Sequence, residues 1–294
     1  MPRSVMLLVN RDKPEASDAA REVRALIQAH GTLVAEDDAS SGPLPHDASR
    51  ADLAIVLGGD GSLLGQTRRC LALAGKHKPA LLGINLGKLG FMAEFDLPSF
   101  RDQASDLLSG RPLSLREHPL IRAEVFAPSG EKRFEGSAMN ECVITAGPPY
   151  RLLELSLSID GQPGPKVSGD GLIISTPLGS TAYNVSAGGP IITPGVDAVT
   201  LTPIAAHSLS FRPIVVPLSS VISARLLRVN DEIPGYGTTL VLDGQVHHLL
   251  HDGEMVHISR DSHSVAFVRN PANEYWPTLI SKLRWAEQPR MRKP

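Results

Sequence analysis

The feature that most restricts the fold is a change of hydrophobic pattern near residue 116. Before this point, apolar runs such as "VMLLV" and "ADLAIVL" alternate with segments of helical spacing such as "EASDAAREVRALIQAHG". This alternation predicts a parallel sheet flanked by helices, with ligands at the carboxyl ends of the strands. After it, strictly alternating runs such as "ELSLSID" and "TTLVLDG" are separated by turns. That pattern predicts the antiparallel strands of a β-sandwich.

We therefore predict a fold of mixed class, α/β plus all-β, in two domains. A Rossmann-like parallel α/β domain is formed by residues 1–116, and a β-sandwich-like domain by residues 117–269. The segment "NEYWPTLISKLRWAEQ" has helical character, and we expect residues 270–294 to return to the first domain.

Composition and charge exclude several classes of function. The chain has 294 residues, of which 42% are hydrophobic and 20% charged, so it can bury a substantial core. A net charge of −2 without a basic run argues against nucleic acid as a partner. The first apolar stretch is too short for a signal peptide or a membrane span, and the two cysteines form no spaced framework. We expect a cytoplasmic protein with no membrane partner.

A glycine-rich turn, "GGDGS", follows the apolar run "ADLAIVL" and leads into a helix. Gly58, Gly59, Gly61 and Ser62 can present backbone N–H groups to a phosphate at the helix N-terminus. The turn lacks the lysine of a Walker A loop and the glycine spacing of a dinucleotide fingerprint. Asp60 places a carboxylate in this turn, where phosphate is expected. The simpler alternative is a tight turn with an aspartate helix cap.

A second segment rich in glycine and hydroxyl side chains reads "SGDGLIISTPLGSTAYNVSAGGPI" at residues 168–191. Small residues let a ligand approach the backbone, hydroxyls supply directional hydrogen bonds, and the Tyr183 ring offers a stacking surface. These properties suggest a nucleotide cradle. The alternative is a long loop of the β-domain without function, which is uncommon.

Taken together, these segments resemble the bacterial NAD kinases. The resemblance extends over nearly the whole chain and depends on "GGDG" at 58–61, "INLGKLGF" at 84–91, "NE" at 140–141, "GDGLIISTP-GSTAYNVSAGGPI" at 169–191, "LTPIAAHSLSFRPIVVP" at 201–217 and "YWPTLISKLRW" near the end. The "GGDG" motif alone is also found in phosphofructokinases and diacylglycerol-type lipid kinases. The order of the whole set is what makes the resemblance specific.

The resemblance implies transfer of a phosphoryl group from ATP, or in some members from inorganic polyphosphate, to the 2′-hydroxyl of the adenosine ribose of NAD. The product is NADP. It also implies Mg²⁺ that enters with ATP rather than in a protein cage, with Asp60 as a candidate neighbour. Family members are homo-oligomers, so a dimer or tetramer is expected. Alternatives are a "GGDG" kinase of a sugar phosphate or lipid, and a sensor that binds NAD(H) without turnover.

The resemblance further implies roles for individual residues. Asp60 is the catalytic residue, serving the attacking hydroxyl or a Mg²⁺ ion beside it, and Asn140 and Glu141 hydrogen-bond ribose hydroxyls. Asp170 meets the nicotinamide end of NAD, and Phe91 the adenine. The residues implied to bind NAD are Asp60, Gly61, Phe91, Asn140, Glu141, Arg151, Ser168, Asp170, Thr181, Ala182, Tyr183, Asn184, Val185, Ser186 and Gln245.

Two local features remain beside this assignment. Ser168 stands where some relatives carry an arginine associated with preference for NAD over NADH, so the acceptance of NADH is left open. The histidines of "QVHHLLH", namely His247, His248 and His251, lie in an alternating strand pattern. Neighbouring side chains of a strand point to opposite faces, so we expect no metal site there.

Overall fold

The computed structural model describes residues 2–10, 16–38, 42–73, 78–87, 90–231 and 233–285. Lys88 and Leu89 of "INLGKLGF" and the end of the chain from residue 286 lie outside these ranges. The chain divides into two compact units, one formed by residues up to Glu117 together with those from Val265 onward, the other by His118–Ser264. The borders expected from the sequence, 116/117 and 269/270, lie one and five residues away.

The first unit contains a parallel sheet with the strand order β2-β1-β3-β4. Its elements are β1 (Ser4–Val9), α1 (Ala16–His30), β2 (Thr32–Asp37), a 3₁₀ turn (His46–Arg50), β3 (Leu53–Leu57), α2 (Asp60–Leu71), β4 (Ala80–Ile84), α3 (Leu97–Leu108) and, after the second unit, α5 (Tyr275–Leu283). The C-terminal helix belongs to this unit, as predicted.

The pattern of buried side chains explains which elements of this unit can be predicted from the sequence and which cannot. β3 is buried at every position, and α1 buries the face that carries Val23 and Ile27. β2 was not predicted, because only Ala35 in "TLVAED" is buried and the strand has no regular apolar pattern. The carboxyl ends of β3 and β4 lead into the segments that begin at Gly58 and Asn85.

The second unit is built from antiparallel strands, which confirms the predicted class. One sheet has the order β12-β11-β10-β7-β14-β15, and another contains β16-β13-β8-β9 with the hairpin of β5 and β6. The strands are β5 (Leu115–Phe126), β6 (Lys132–Ala138), β7 (Glu141–Thr145), β8 (Leu153–Ile159), β9 (Gln162–Gly169), β10 (Gly171–Ser175), β11 (Ala198–Ile204), β12 (Ile214–Pro217), β13 (Ile222–Arg228), β14 (Thr239–Leu242), β15 (Val246–Leu249) and β16 (Met255–Val268).

The core of the second unit combines side chains from both sheets. Leu155 and Leu157 of β8 pack in the same apolar cluster as Ile144 of β7 and Ile174 of β10. The alternation in "ELSLSID" is therefore the burial pattern of a strand with one face in a sandwich core. Between Thr176 and Ile191 the chain forms a 3₁₀ turn and one short helix, α4 (Tyr183–Ser186).

Candidate active site

Asp60 is the first residue of α2 and directly follows the glycine turn at the end of β3. Gly59 precedes it in an extended conformation and accepts the first helical hydrogen bond, from Leu63 N–H, at 3.0 Å. The Asp60 carboxylate accepts three backbone N–H bonds, from Phe91 to Oδ2 at 2.8 Å, and from Met92 and Ala93 to Oδ1 at 3.1 and 3.0 Å. The negative charge in the glycine turn is thus held by the amides of the segment after β4.

These amides leave part of the carboxylate available. An ionised carboxylate has about four acceptor sites, and three are used here. The remaining capacity is on Oδ2, which also lies 3.9 Å from the Nζ of Lys282. The Asp60 side chain is 31% exposed. It can therefore accept a further donor, such as a hydroxyl group, without losing its backbone partners.

Close approach, rather than backbone conformation, explains two of the glycines around Asp60. A Cβ on Gly90 would lie 1.7 Å from Asp60 Oδ1, and one on Gly58 would lie 2.6 Å from the Ser62 side chain. A Cβ on Gly61 would meet nothing within 4 Å. Gly58 and Gly90 are therefore required where they stand, whereas Gly61 has room for a methyl group.

This difference predicts opposite effects on stability for two glycine-to-alanine substitutions. Gly90→Ala must displace the Asp60 carboxylate and should lower the free energy of unfolding by about 1–3 kcal/mol, as overpacking does. Gly61→Ala lies in a helix with open space and should raise it by roughly 0.5–1 kcal/mol. Urea unfolding of both variants measures the difference, and equal midpoints would contradict the packing described here.

Asn140 and Glu141 lie at the start of β7, where their backbone is fixed by Asp243. The Asp243 carboxylate accepts N–H bonds from Met139 at 3.0 and 3.1 Å, from Asn140 at 2.7 Å and from Glu141 at 3.2 Å. Asp243 is buried in the turn between β14 and β15 and has a positive φ of 53°. Sequence analysis did not select it, because "LDGQ" signals a turn but not what the aspartate holds.

The side chains of this pair keep unused acceptors. Within the part of the chain that the structure describes, no group donates a hydrogen bond to the buried Asn140 Oδ1 or the buried Glu141 Oε2. Buried acceptors of this kind are rare in folded proteins and require a partner, which can be a water molecule, an ion or a ligand group. Burial raises the pKa of Glu141 to about 8, with the negative charge of Asp243 as the second cause. At neutral pH its carboxyl group can therefore donate as well as accept a hydrogen bond.

The glycine-rich segment after β10 packs against this pair. Thr176 donates from its backbone N to Asn140 O at 2.9 Å and from Oγ1 to Met139 O at 2.6 Å. A Cβ on Gly179 would lie 2.2 Å from Asn140 O, so only glycine allows this approach. The structure therefore brings the predicted residues 181–186 to the end of the sheet where Asn140 and Glu141 begin β7.

Residues of this segment differ in what they offer to a ligand. Tyr183 is 46% exposed, which leaves its ring available for stacking. Ser186 is exposed, whereas Thr181, Ala182 and Val185 are partly buried. Gln245 is exposed in the turn that also carries Asp243, at the same end of the sheet.

Asn184 has a different place from the one implied by its position in the motif. Its amide nitrogen donates to Ser180 O at 3.2 Å and Pro190 O at 2.9 Å. Its Oδ1 accepts from the hydroxyls of Thr200 at 2.9 Å and Thr202 at 2.7 Å. The side chain is fully buried and its hydrogen-bonding capacity is used. Asn184 therefore supports the segment from inside rather than presenting its amide to a ligand.

Asp170 lies at the opposite end of β10 from Thr176, about 20 Å away at the usual rise of roughly 3.3 Å per strand residue. Its backbone N donates to Ile204 O at 2.9 Å, and its side chain is exposed. Ser168 and Arg151 lie near this same end of β10. The backbone O of Ser168 accepts a hydrogen bond from His207 N. Arg151 N donates to Asn230 Oδ1, and the amide nitrogen of Asn230 donates to Ala146 O. Within a single chain, the predicted NAD-binding residues of the second unit therefore form two separate groups, one at each end of β10.

Comparison with known proteins gives the family. Residues 32–111 match the family model of the ATP-NAD kinase N-terminal domain, and residues 139–270 match that of the ATP-NAD kinase C-terminal domain. The chain belongs to the NAD kinase family. It is 34% identical over 287 residues to an NAD kinase of Rhodopirellula baltica, covering 97% of this chain and 88% of that protein. An NAD kinase of Geobacter sulfurreducens is 35% identical over 270 residues, covering 92% and 90%.

Two solved kinase structures share the fold. Yeast NADH kinase complexed with NADH superimposes with a TM-score of 0.82 at 23% identity, over 99% of this chain and 90% of that one. An NAD kinase from Archaeoglobus fulgidus in complex with ATP gives a TM-score of 0.68 at 22% identity, over 92% and 94%. At these identities the similarity demonstrates the common architecture.

Three further features of this NAD kinase family member concern membrane spans, the histidines of β15 and metal-binding groups. Among the described residues, no helix has the length and apolar character to span a membrane. His248 of β15 stacks on Phe134 with ring centres 4.5 Å apart, whereas the neighbouring His247 is exposed. Within the described ranges of the chain, no group of three or more histidine, cysteine, aspartate or glutamate side chains is arranged to hold a metal ion.

Proposed function

We propose that the chain transfers the terminal phosphoryl group of ATP to the 2′-hydroxyl of the adenosine ribose of NAD, giving NADP. The observation that carries this proposal is the pair of buried acceptors on the Asn140 and Glu141 side chains. The backbone of this pair is held by Asp243, and the glycine-rich segment bonds to the backbone beside it. Ribose hydroxyls both donate and accept hydrogen bonds, so they can pair with the Asn140 amide and with the Glu141 carboxyl group. The family membership selects NAD as the molecule that carries this ribose.

The remaining contacts to NAD follow from position and exposure. We assign the ring of Tyr183 to stacking on a base and the segment of Thr181, Ala182, Val185 and Ser186 to the pocket wall, with Gln245 beside it. Phe91 is assigned to the adenine and Gly61 to the ribose-phosphate side. Asn184 keeps its supporting role, because its amide has no capacity left for a ligand.

On the donor side, the amides of Gly58, Gly59, Gly61 and Ser62 at the start of α2 are assigned to phosphate groups, since a helix N-terminus stabilises anions. Asp60 Oδ2 orients the attacking 2′-hydroxyl and accepts its proton as the new bond from oxygen to phosphorus forms. The bond between the β-γ bridging oxygen and the γ-phosphorus breaks, and ADP leaves with the electron pair. The amides of residues 91–93 keep the carboxylate aimed during this step.

Mg²⁺ is the cofactor that we propose for the donor. This ion is usually bound by one or two carboxylates together with substrate phosphates, rather than by an all-protein cage. The partly exposed Asp60 carboxylate, next to the phosphate-binding amides, suits that mode. When bound there, the ion would neutralise part of the charge on the donor phosphates.

A homo-oligomer is the assembly that we propose. Asp170, Ser168 and Arg151 lie at the far end of β10 from Asn140 and Glu141, so the two groups of predicted NAD-binding residues are separated within one copy. In an oligomer, Asp170 of one chain could lie beside Asn140 of a neighbouring chain. The two groups of residues would then bind the same NAD molecule.

The experiment that tests the function is a coupled assay on the purified protein with ATP, Mg²⁺ and NAD. NADP is read through an NADP-specific dehydrogenase, and parallel wells hold NADH as acceptor or polyphosphate as donor. NADP formation that requires every component supports the proposal. NAD binding without NADP would favour a sensor, and the absence of both would leave a kinase of sugar phosphates or lipids.

A further inference from the structure

Lys282 lies in the last turn of α5, in the same unit as the glycine turn. Its Nζ is 3.9 Å from Asp60 Oδ2 and 5.2 Å from the centre of the Phe91 ring. The C-terminal helix therefore places a cation against the catalytic carboxylate proposed above. Neither the glycine motifs nor the spacing of residues in the sequence selected this lysine.

Phosphoryl transfer needs positive charge at this place in addition to the Mg²⁺ ion proposed above. The donor phosphates are strongly negative, and Asp60 adds a further negative charge beside them. Walker A loops meet this need with a lysine that directly follows the glycines, which this turn lacks. The basic residues of α2 itself, Arg68 and Arg69, lie in its last turn, at the other end of the helix.

We infer that Lys282 contacts the terminal phosphoryl group of the donor and exchanges between this group and Asp60. The inference rests on the proposed function of the same site. In the ligand-free protein the ammonium lies against Asp60 Oδ2. When the donor binds, it turns to the phosphate, and Oδ2 becomes free to accept the 2′-hydroxyl. The proton of the hydroxyl passes to Asp60, so the role of Lys282 includes no proton transfer.

Four observations make this exchange possible. The distance of 3.9 Å is at the outer limit of an ion pair, and both side chains are partly exposed, at 29% and 31%. Exposed pairs of this kind contribute little to folding stability, so the pair opens at small cost. Asp60 keeps three backbone amides when the ammonium leaves, and the Phe91 ring still attracts the cation.

The test compares Lys282→Met, which keeps an apolar chain of similar length, with Lys282→Arg, which restores the charge. The matched control is Lys132→Met, which removes another partly exposed lysine with carboxylate partners, Glu124 and Glu135. We expect Lys282→Met to weaken ATP binding and to lower kcat/KM for ATP by about 10- to 100-fold, the value of a charge-assisted hydrogen bond. The KM for NAD and the affinity for AMP, which lacks the terminal phosphate, should change by less than about twofold.

The remaining outcomes separate the inference from the function on which it rests. Lys282→Arg should recover part of the ATP affinity, and Lys132→Met should behave as the wild type. If Lys282→Met lost equal affinity for ATP and AMP, Lys282 would have a purely structural role, and the inference would be overturned. The same would follow if a lowered Tm of the variant accounted for the loss of ATP affinity. Wild-type ATP affinity in Lys282→Met would overturn it too. If the wild type forms no NADP, the proposed function fails, while the ATP and AMP affinities still decide whether Lys282 meets the terminal phosphate.

Discussion

Asp60→Asn is expected to lower kcat by about 10²- to 10⁴-fold, the usual range for loss of a positioned general base. The amide nitrogen cannot accept the proton of the 2′-hydroxyl, and it replaces the one carboxylate oxygen that has spare acceptor capacity. Binding of NAD should persist, because Asn140 and Glu141 lie in the other unit and do not depend on this carboxylate. Kinetics with the coupled assay, and NAD titration of the variant, measure the two quantities separately.

A structural effect of this substitution must be separated from the chemical one. If the amide oxygen of the substituted side chain keeps the N–H bonds of Met92 and Ala93, the amide nitrogen faces the N–H of Phe91, and that bond is lost. This loss should cost about 1–3 kcal/mol of stability, which leaves a domain of ordinary stability folded during the assay. The control is Asp96→Asn, because Asp96 caps α3 through Ser99 N–H at 2.8 Å and asparagine caps equally well. A kcat for Asp60→Asn within about threefold of the wild type would refute the role of Asp60.

The second large effect concerns Glu141 and pH. Burial raises the pKa of this carboxyl group from 4.5 to about 8 in the folded protein. The unfolded chain therefore loses the proton near pH 4.5, whereas the folded chain keeps it until about pH 8. The stability that proton binding provides is complete below the unfolded pKa and is lost as pH rises through this window. Wild-type stability should thus fall between about pH 4.5 and 8.

Glu141→Gln removes this dependence while keeping the shape of the side chain. At pH 8 the variant should be more stable than the wild type by up to roughly 5 kcal/mol, from about 1.4 kcal/mol per pKa unit, and near pH 4.5 the two should converge. Its KM for NAD at neutral pH should change by less than about threefold, because the glutamine amide can donate and accept hydrogen bonds as the protonated carboxyl group does. Urea unfolding at about pH 5, 6.5 and 8 measures the stability.

Glu135→Gln, which changes an exposed carboxylate paired with Lys132, is the control. Parallel pH profiles for the wild type and Glu141→Gln would show that Glu141 does not carry the buried proton.

The fold follows from the sequence where burial leaves a regular pattern. The apolar run of β3 reflects burial on both faces, whereas the spacing of α1 and the alternation of β8 each indicate one buried face. The sequence of β2 has no regular apolar pattern, because this strand lies at the edge of the parallel sheet and has one buried residue. The strand pattern of β16 continues to Val268, and the unit border falls within it.

A local sequence motif marks Asp60, because a carboxylate in a glycine turn is unusual. Asn140 and Glu141 are implied only by the resemblance to the NAD kinases, because an amide beside a carboxylate at a strand end is common in proteins. What supports them comes from distant parts of the chain: Asp243 for the backbone of Asn140, and the amides of residues 91–93 for Asp60. Asn184 is the opposite case. It lies inside a motif that suggests ligand binding, but its amide hydrogen-bonds within the protein and stabilises the motif itself.

The most direct test of the central claim is to follow the transferred phosphoryl group itself. ATP labelled with ¹⁸O in its γ-phosphoryl group is incubated with the protein, Mg²⁺ and NAD, and the products are analysed by fragment mass spectrometry. The account predicts that the label is found in a phosphate on the adenosine ribose of NADP, at the 2′ position by proton-phosphorus NMR. Label confined to inorganic phosphate, or attached elsewhere on NAD, would contradict it.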